Sequence, residues 1–273
     1  GRPAAFSFTL RETPNRHHDL HCRAATMMKM PSRLLCLAML SCLLAACVHA
    51  PRNPLATWVP SKNYDERRAN LIVLHFTEED SVEQSLHTLR TRNSKGPVSA
   101  HYLLGRDGHI YQLVADRDRA WQAGAGSWGT ITELNSASIG IEIDNDGQSP
   151  FPPQQIDSLL VLLDDLCKRL RIPRQSIIGH QDLAPTRKPD PGPLFPWKRL
   201  AEAGFGRWPA NLDEAPPPNF DPWLALRLVG YSLDDRAATV RAYRNHFRGD
   251  SATELDEQDN RILYALTRAD WAR

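Results

Sequence analysis

"SIGIEIDNDGQSPFPPQQIDSLLVLLDDLCKRLRIPRQSIIGH", residues 138–180, decides the fold class. The stretch begins and ends with short apolar runs, at 138–144 and 176–180, and such runs are typical of buried strands. Residues 152–171 between them carry apolar side chains at helical spacing, which predicts an amphipathic helix. These side chains are Ile156, Leu159, Leu160, Leu163, Leu166, Cys167 and Leu170. A strand, a helix and a second strand in this order indicate an α/β protein.

The pattern continues on the N-terminal side. "NLIVLHF" (70–76) is typical of a buried strand, and "SVEQSLHTLRT" (81–91) predicts a helix with Ser81 as its N-cap. "AHYLLGRDGHIYQLV" (100–114) predicts a β-hairpin, because Asp107-Gly108 is a favoured turn between two apolar runs. We therefore expect an α/β fold with a mixed β-sheet flanked by helices.

Proline marks the limits of the α/β domain within the 273 residues. We assign residues 61–209 to this domain and residues 210–222 to a Pro-rich linker, because prolines cannot continue a helix or strand. Residues 223–273 then form a small all-α domain. Helical patterns occur there at 223–230, 234–247 and 256–269.

The N-terminal segment predicts where in the cell the protein is located. We set residues 1–27 aside as a disordered lead, and residues 28–46 have the charged start and short apolar run of a signal peptide. The end of that run, Leu44-Ala45-Ala46-Cys47, resembles a bacterial lipobox, which implies that Cys47 is lipidated. Val48 rather than Asp follows, which favours the outer membrane, facing the periplasm, with residues 47–60 as a tether. The alternative is a plain secretory signal.

Charge and cysteine content exclude several classes of protein. Loss of residues 1–46 removes six Lys+Arg and two Asp+Glu, which leaves 27 basic and 30 acidic residues and a net charge of −3. Without a basic run we expect no nucleic-acid partner. Only Cys47 and Cys167 survive cleavage, so neither a disulfide framework nor a cysteine zinc cluster is expected. Cys167 falls on the apolar face of its helix, as a core residue would.

Two histidines at the ends of predicted strands are candidate metal ligands. His75 and His180 are at strand ends, and Asp190 lies ten positions beyond His180 on a Pro-stiffened loop. The ends of neighbouring strands meet at one edge of a sheet, where α/β proteins commonly keep their sites. Two imidazoles and one carboxylate leave the fourth position of a tetrahedral zinc open, as in catalytic sites. Taken singly, a histidine at a strand end is more often a satisfied structural residue than a metal ligand.

Four ordered segments give a family resemblance. "LIVLHFT" (71–77), "SAHYLLGRDGHIYQLV" (99–114), "SIGIEI" (138–143) and "GHQDLAPTRKPDPG" (179–192) resemble the zinc-dependent N-acetylmuramoyl-L-alanine amidases of the amidase-2 family. The resemblance covers residues 60–209 and implies a peptidoglycan-recognition-like fold. It implies Zn²⁺ as cofactor, peptidoglycan and muropeptides as substrates, and hydrolysis of the amide between N-acetylmuramic acid and L-alanine.

The same resemblance assigns roles to residues. His75, His180 and Asp190 match the zinc ligands, Glu142 matches the catalytic glutamate, and Lys188 matches the lysine that assists at the oxyanion. The chemistry agrees, because a carboxylate can move the proton of a zinc-activated water and an ammonium can offset charge on the intermediate. The alternatives are a surface carboxylate at the end of a strand and a solvated loop lysine.

Contacts to the substrate are harder to assign. His101 is a candidate substrate contact, while Trp121 and Trp128 are candidates for the groove wall. Many relatives have His where this chain has Gln122, so a role of that position in proton transfer or zinc approach is in doubt. We expect Asp182 and Arg187 to be solvated, or structural through local hydrogen bonds.

The C-terminal helical segment has its own family resemblance. Residues 224–269 resemble the C-terminal module of AmiD-type outer-membrane amidases and small three-helix peptidoglycan-binding domains. A structural appendage that only packs on the first domain is the alternative. We expect a monomeric enzyme. A non-catalytic peptidoglycan-recognition protein of the same fold is the rival function, and a different zinc peptidase would need a His-Glu-x-x-His helix that the chain lacks.

Overall fold

The computed structural model describes residues 53–66, 69–93 and 96–268. The signal segment and Cys47 lie outside these residues. The strands are β1 (Thr57–Trp58), β2 (Tyr64–Glu66), β3 (Leu71–Phe76), β4 (Arg92–Asn93), β5 (Gly96–Pro97), β6 (Tyr102–Leu104), β7 (Ile110–Gln112), β8 (Asp118–Ala120), β9 (Ser138–Ile143) and β10 (Ile177–Gly179). The helices are α1 (Val82–Arg90), α2 (Leu134–Ala137), α3 (Pro153–Leu170), α4 (His180–Leu183), α5 (Trp197–Glu202), α6 (Pro222–Val229), α7 (Arg236–Phe247) and α8 (Glu257–Thr267). Within this described part, no helix combines the length and the apolar character that crossing a membrane requires.

A six-stranded sheet in the order β1-β7-β6-β9-β3-β10 forms the centre of the α/β part. β6 and β7 pair antiparallel as the predicted hairpin, and every other neighbouring pair is parallel. Two further two-stranded sheets pair β2 with β8 and β4 with β5. The predicted α/β class with a mixed sheet is therefore confirmed.

Helix α3 is the main cover of one face of the sheet. Its apolar stripe joins the isoleucines of the strands in one buried cluster, which includes Ile72, Leu74, Ile139, Ile141, Ile143, Ile156, Leu159, Leu163 and Leu166. The helix begins with Pro153, which needs no hydrogen-bond partner for its nitrogen there, and ends where Arg171 adopts a left-handed conformation. Cys167 is buried in this cluster, as predicted. In α1, the predicted cap Ser81 accepts a hydrogen bond from the Gln84 N–H.

The opposite face of the sheet carries the polar side chains. Strand alternation sends Leu71 and Val73 into a second apolar cluster, and His75 follows on the same side. In register, His75 is directly beside Glu142 of β9. Ile141 and Ile143 point to the α3 side, so Glu142 faces away from the main core.

Among the boundaries that differ from the prediction, one lies at the site. The strand expected at 176–180 ends at Gly179, and His180 is the first residue of α4. The Asp182 carboxylate accepts a hydrogen bond from the Gly179 N–H at 2.7 Å and so turns the backbone into a helical turn at this point. His180 still lies at the C-terminal edge of the sheet.

Helices α6, α7 and α8 enclose an apolar cluster of their own. Their N-caps are Asp221, Asp235 and Asp256, whose carboxylates accept hydrogen bonds from the first turn of each helix. The buried members of the cluster are Ala225, Leu226, Val229, Tyr231, Ala242, Tyr243, Phe247, Ile262, Leu263 and Leu266. The chain between α5 and α6 forms only turns and bends.

Candidate active site

Three side chains meet at the C-terminal edge of the sheet. His75 lies in β3, His180 starts α4, and Asp190 lies on the loop after α4. Nδ1 of His75 is 2.9 Å from Nδ1 of His180 and 2.9 Å from Oδ2 of Asp190, and Nδ1 of His180 is 3.0 Å from the same oxygen. All three side chains are buried. Such a group fits a metal ion.

The second nitrogen of each imidazole supports the same conclusion. His75 Nε2 lies 2.6 Å from Oε1 of Gln122, and His180 Nε2 lies 2.8 Å from the carbonyl oxygen of Ala123. Both partners only accept hydrogen bonds, so each Nε2 carries the hydrogen and each Nδ1 keeps a lone pair. The two lone pairs and the carboxylate converge on one point, as in metal sites whose histidines donate their other N–H to an outer acceptor.

The orientation of Gln122 is fixed by a chain of hydrogen bonds. Ser138 Oγ donates to the carbonyl oxygen of Leu134 at 2.6 Å, so it accepts from Gln122 Nε2 at 2.7 Å. The amide oxygen of Gln122 must then point at His75. Gly140 makes room for this side chain, because a Cβ there would lie 2.4 Å from Gln122 Cγ. The backbone N–H of Gln122 also donates to Asn135 Oδ1 at 3.1 Å.

The three side chains of this group influence one another electrostatically. Burial alone would raise the pKa of Asp190, but the facing imidazoles, His180 first, hold that pKa well below its usual range. Burial and then His75 lower the pKa of His180 to about 4. Burial also acts to lower the pKa of His75, but the neighbouring carboxylates of Glu142 and Asp190 outweigh it and raise that pKa. A cation at this site would replace the proton that the carboxylates attract.

Glu142 is a carboxylate with a free acceptor. Its Oε2 is buried and has no hydrogen-bond partner within the described part of the chain. Burial raises the pKa of Glu142 to about 7, although the facing His75 opposes the shift. Lys188 opposes it as well, so its ammonium lies within electrostatic reach of the carboxylate. A buried carboxylate oxygen without a protein partner is suited to bind a small polar molecule such as water.

These groups line one cavity of about 290 Å³. Its walls include His75, His180 and Asp190 together with Glu142, Lys188, Trp121, Gln122, Arg187, Glu79 and Val98. The metal-fitting group, a carboxylate with a raised pKa and an ammonium therefore face the same space, and this combination suits hydrolysis of a polar bond.

The chain is similar in sequence to known proteins of one family. Residues 65–193 match the Amidase_2 family, described as N-acetylmuramoyl-L-alanine amidase. N-acetylmuramoyl-L-alanine amidase AmiD of Escherichia coli is 40% identical over 233 residues, which cover 73% of this chain and 82% of that protein.

The chain belongs to the amidase-2 family of N-acetylmuramoyl-L-alanine amidases.

Two solved structures of relatives resemble this amidase along most of its length. Escherichia coli AmiD in complex with the substrate anhydro-N-acetylmuramic acid-L-Ala-D-gamma-Glu-L-Lys has a TM-score of 0.64 at 33% identity, covering 79% of this chain and 91% of that one. AMPDH3 of Pseudomonas aeruginosa in complex with anhydromuramic pentapeptide has a TM-score of 0.64 at 32% identity, covering 81% and 96%. Both likenesses therefore extend beyond the 65–193 match.

Not every predicted site residue of the amidase reaches the cavity. Trp121 does. His101 is fully buried and does not line the cavity; its Nδ1 accepts from the Gly140 N–H and its Nε2 donates to the Asp118 carbonyl oxygen, each at 3.0 Å. The structure therefore leaves His101 no surface for a substrate contact, and it braces β9 instead. Trp128 packs edge-on against Tyr231 of the helical part and is outside the cavity.

Two neighbours of the predicted ligands differ from expectation, because Arg187 was expected to be solvated or to make only local hydrogen bonds and the role of Gln122 in place of His was in doubt. Gln122 stood out only as a departure from His, yet it accepts the hydrogen of His75 as an outer partner. Arg187 donates to the carbonyl oxygens of Ala123 and Ala125 at 2.7 and 2.6 Å and so fixes the loop that also holds His180 Nε2. The ability of an amide oxygen to accept was the one available signal for Gln122.

Proposed function

We propose that this amidase hydrolyses the amide bond between N-acetylmuramic acid, or its anhydro form, and L-alanine in peptidoglycan and muropeptides, with Zn²⁺ as its cofactor. The single observation that carries the proposal is Glu142 Oε2, a buried acceptor that has no hydrogen-bond partner among the described residues and lies beside three side chains that fit a metal. The substrate bound by the AmiD relative and the anhydromuramic pentapeptide bound by the AMPDH3 relative support the same substrate class.

Zinc is the ion that suits this donor set best. Two imidazole nitrogens and one carboxylate oxygen are typical zinc donors, and three protein ligands leave a position for water or substrate. His75, His180 and Asp190 would hold the ion. When bound, it supplies Lewis acidity toward water and toward the scissile carbonyl.

The other residues of the cavity handle protons and charge. Glu142 accepts the proton of the attacking water at Oε2 and passes it to the leaving amine of L-alanine. A pKa of about 7 suits both transfers, because the group can gain and lose a proton near neutral pH. The Lys188 ammonium stabilises the negative charge that develops on the carbonyl oxygen.

The test is product analysis on defined muropeptides, with and without the anhydro end, followed by mass spectrometry. The expected products are the free stem peptide and the free muramic acid moiety. His180→Ala serves as the matched control and should lose both zinc and turnover. Binding without any product in the zinc-loaded wild type would instead favour a recognition protein of the same fold.

We also propose that the chain is a monomeric lipoprotein of the outer membrane, anchored through Cys47 and facing the periplasm. The lipobox-like Leu44-Ala45-Ala46-Cys47 and the following Val48 support this address. Residues 47–60 would then tether the amidase to the membrane, and residues 223–273 would bind the wall. Each part would serve one insoluble substrate.

A further inference from the structure

Helix α7 of the C-terminal part packs on the segment 180–190, which carries two of the three proposed ligands. The hydrogen bonds across this contact run from Arg241 to the Pro185 carbonyl oxygen at 3.2 Å, from Asn245 to Gln181 at 3.0 Å and from His246 to Asp182 at 2.8 Å. The C-terminal helices are thus bonded to the metal-bearing segment along much of its length.

Asp182 is the centre of this contact. It is fully buried, two residues after His180 and in the same helical turn. Its Oδ2 accepts from the Gly179 N–H at 2.7 Å and from His246 Nδ1, and its Oδ1 accepts from the Tyr231 hydroxyl at 2.7 Å. A buried carboxylate is costly unless such donors are present. Two of its three donors come from the C-terminal part.

The two donors are themselves held in place. The His246 ring stacks on Trp197 with centroids 3.7 Å apart and an angle of 11° between the planes. The Tyr231 ring packs edge-on against Trp128, with centroids 5.1 Å apart. Neither side chain can swing away from Asp182 without breaking an aromatic contact, so the donors constrain the position of α4.

We propose that the C-terminal helices position the metal ligand His180, with Tyr231 and His246 acting through Asp182. Loss of either donor leaves part of a buried charge uncompensated, and α4 must move to satisfy it. A shift of α4 displaces His180 Nδ1 from the other two ligands. This inference rests on the proposed zinc site, and it gives the helical part a role that is independent of wall binding.

The experiment measures zinc affinity by chelator competition in the mature chain. Tyr231→Phe and His246→Phe keep an aromatic ring and remove the donor. Each should lower the affinity for zinc by about tenfold, which is the lower end of the usual effect of losing a hydrogen-bond partner of a metal ligand. His246→Asn keeps a donor at the position of Nδ1 and should recover most of the affinity. At saturating zinc and substrate, the turnover of the variants should follow the same order as their zinc affinities, and KM should stay nearly constant.

Tyr243→Phe is the matched control. It removes a buried hydroxyl from the same helical cluster, and this hydroxyl donates to the Asp259 carbonyl oxygen at 3.4 Å, which lies outside segment 180–190. Its zinc affinity should equal that of the wild type, whatever its melting temperature. Affinities within twofold of wild type in folded Tyr231→Phe and His246→Phe would overturn the proposal. If one of them does not fold, the other and His246→Asn decide. A wild type without zinc would overturn the proposed function instead.

Discussion

Replacement of Glu142 by Gln should stabilise the metal-free chain while it removes activity. Burial raises the pKa of this carboxyl from 4.5 to about 7, so the folded state disfavours the ionised form. A tenfold change in proton affinity corresponds to about 1.4 kcal/mol, so full ionisation costs up to roughly 3 kcal/mol of folding free energy. Gln has a similar shape and no charge to desolvate.

The sign of the pH dependence follows from the raised pKa. The contribution of Glu142 to wild-type stability is fully present below about pH 4.5 and is lost as the pH rises through about 7. The variant lacks this loss. Its advantage should therefore be small near pH 5 and reach its maximum above about pH 8, where the gap of roughly 3 kcal/mol would raise the melting temperature by several degrees.

The assay is urea or thermal unfolding of both proteins in chelator, at about pH 5 and about pH 8.5, and again with zinc. Zinc should narrow the gap, because a cation beside Glu142 offsets its charge. Turnover of the zinc-loaded variant should fall by about 10²–10⁴-fold, as for loss of a general base. Equal pH dependence of stability in both proteins would refute the buried-charge reasoning, and near-wild-type turnover would remove Glu142 from the mechanism.

Three further variants test other parts of the site and the address. Gln122→Ala should weaken zinc by about 10–100-fold, because His75 loses the acceptor that fixes its tautomer; chelator competition measures this, and an unchanged affinity would contradict the outer-partner role. Lys188→Ala should keep one zinc by atomic absorption but lower kcat, because its partner charge exists only in the transition state; loss of zinc would assign it a different role. Cys47→Ser in the precursor should release soluble protein or stall processing, which membrane fractionation measures. Unchanged fractionation would contradict the proposed lipidation of Cys47.

Local patterns were sufficient for the elements and for where the ligands meet. The stripe of α3, the Asp107-Gly108 turn and the Ser81 cap each have a signature within a few residues, and the structure confirms all three. His75 and His180 were predicted to converge because parallel strands end at one edge, and they do.

Long-range hydrogen bonds leave no such local signature. Gln122 is bonded to His75 across 47 positions, and Asp182 is bonded to His246 across 64. His101 directly precedes β6, where a side chain can face the cavity or the interior, and only the approach of Gly140 and Asp118 decides that it is buried. A short polar or amphipathic side chain is compatible with both the cavity and the interior, so only the structure identifies its hydrogen-bond partner.

The sequence separation of the ligands has a consequence for how the chain matures. His75 is 105 positions from His180 and 115 from Asp190, so an unfolded chain keeps at most two of the three donors near each other. The proposed ion can therefore select only chains whose parallel strands have already paired, a slow step in folding. By mass action it then stabilises those chains by about 4 kcal/mol at a free concentration one thousand times its Kd. Zinc scarcity in the compartment of folding would consequently reduce the amount of amidase that survives proteolysis, as well as its activity.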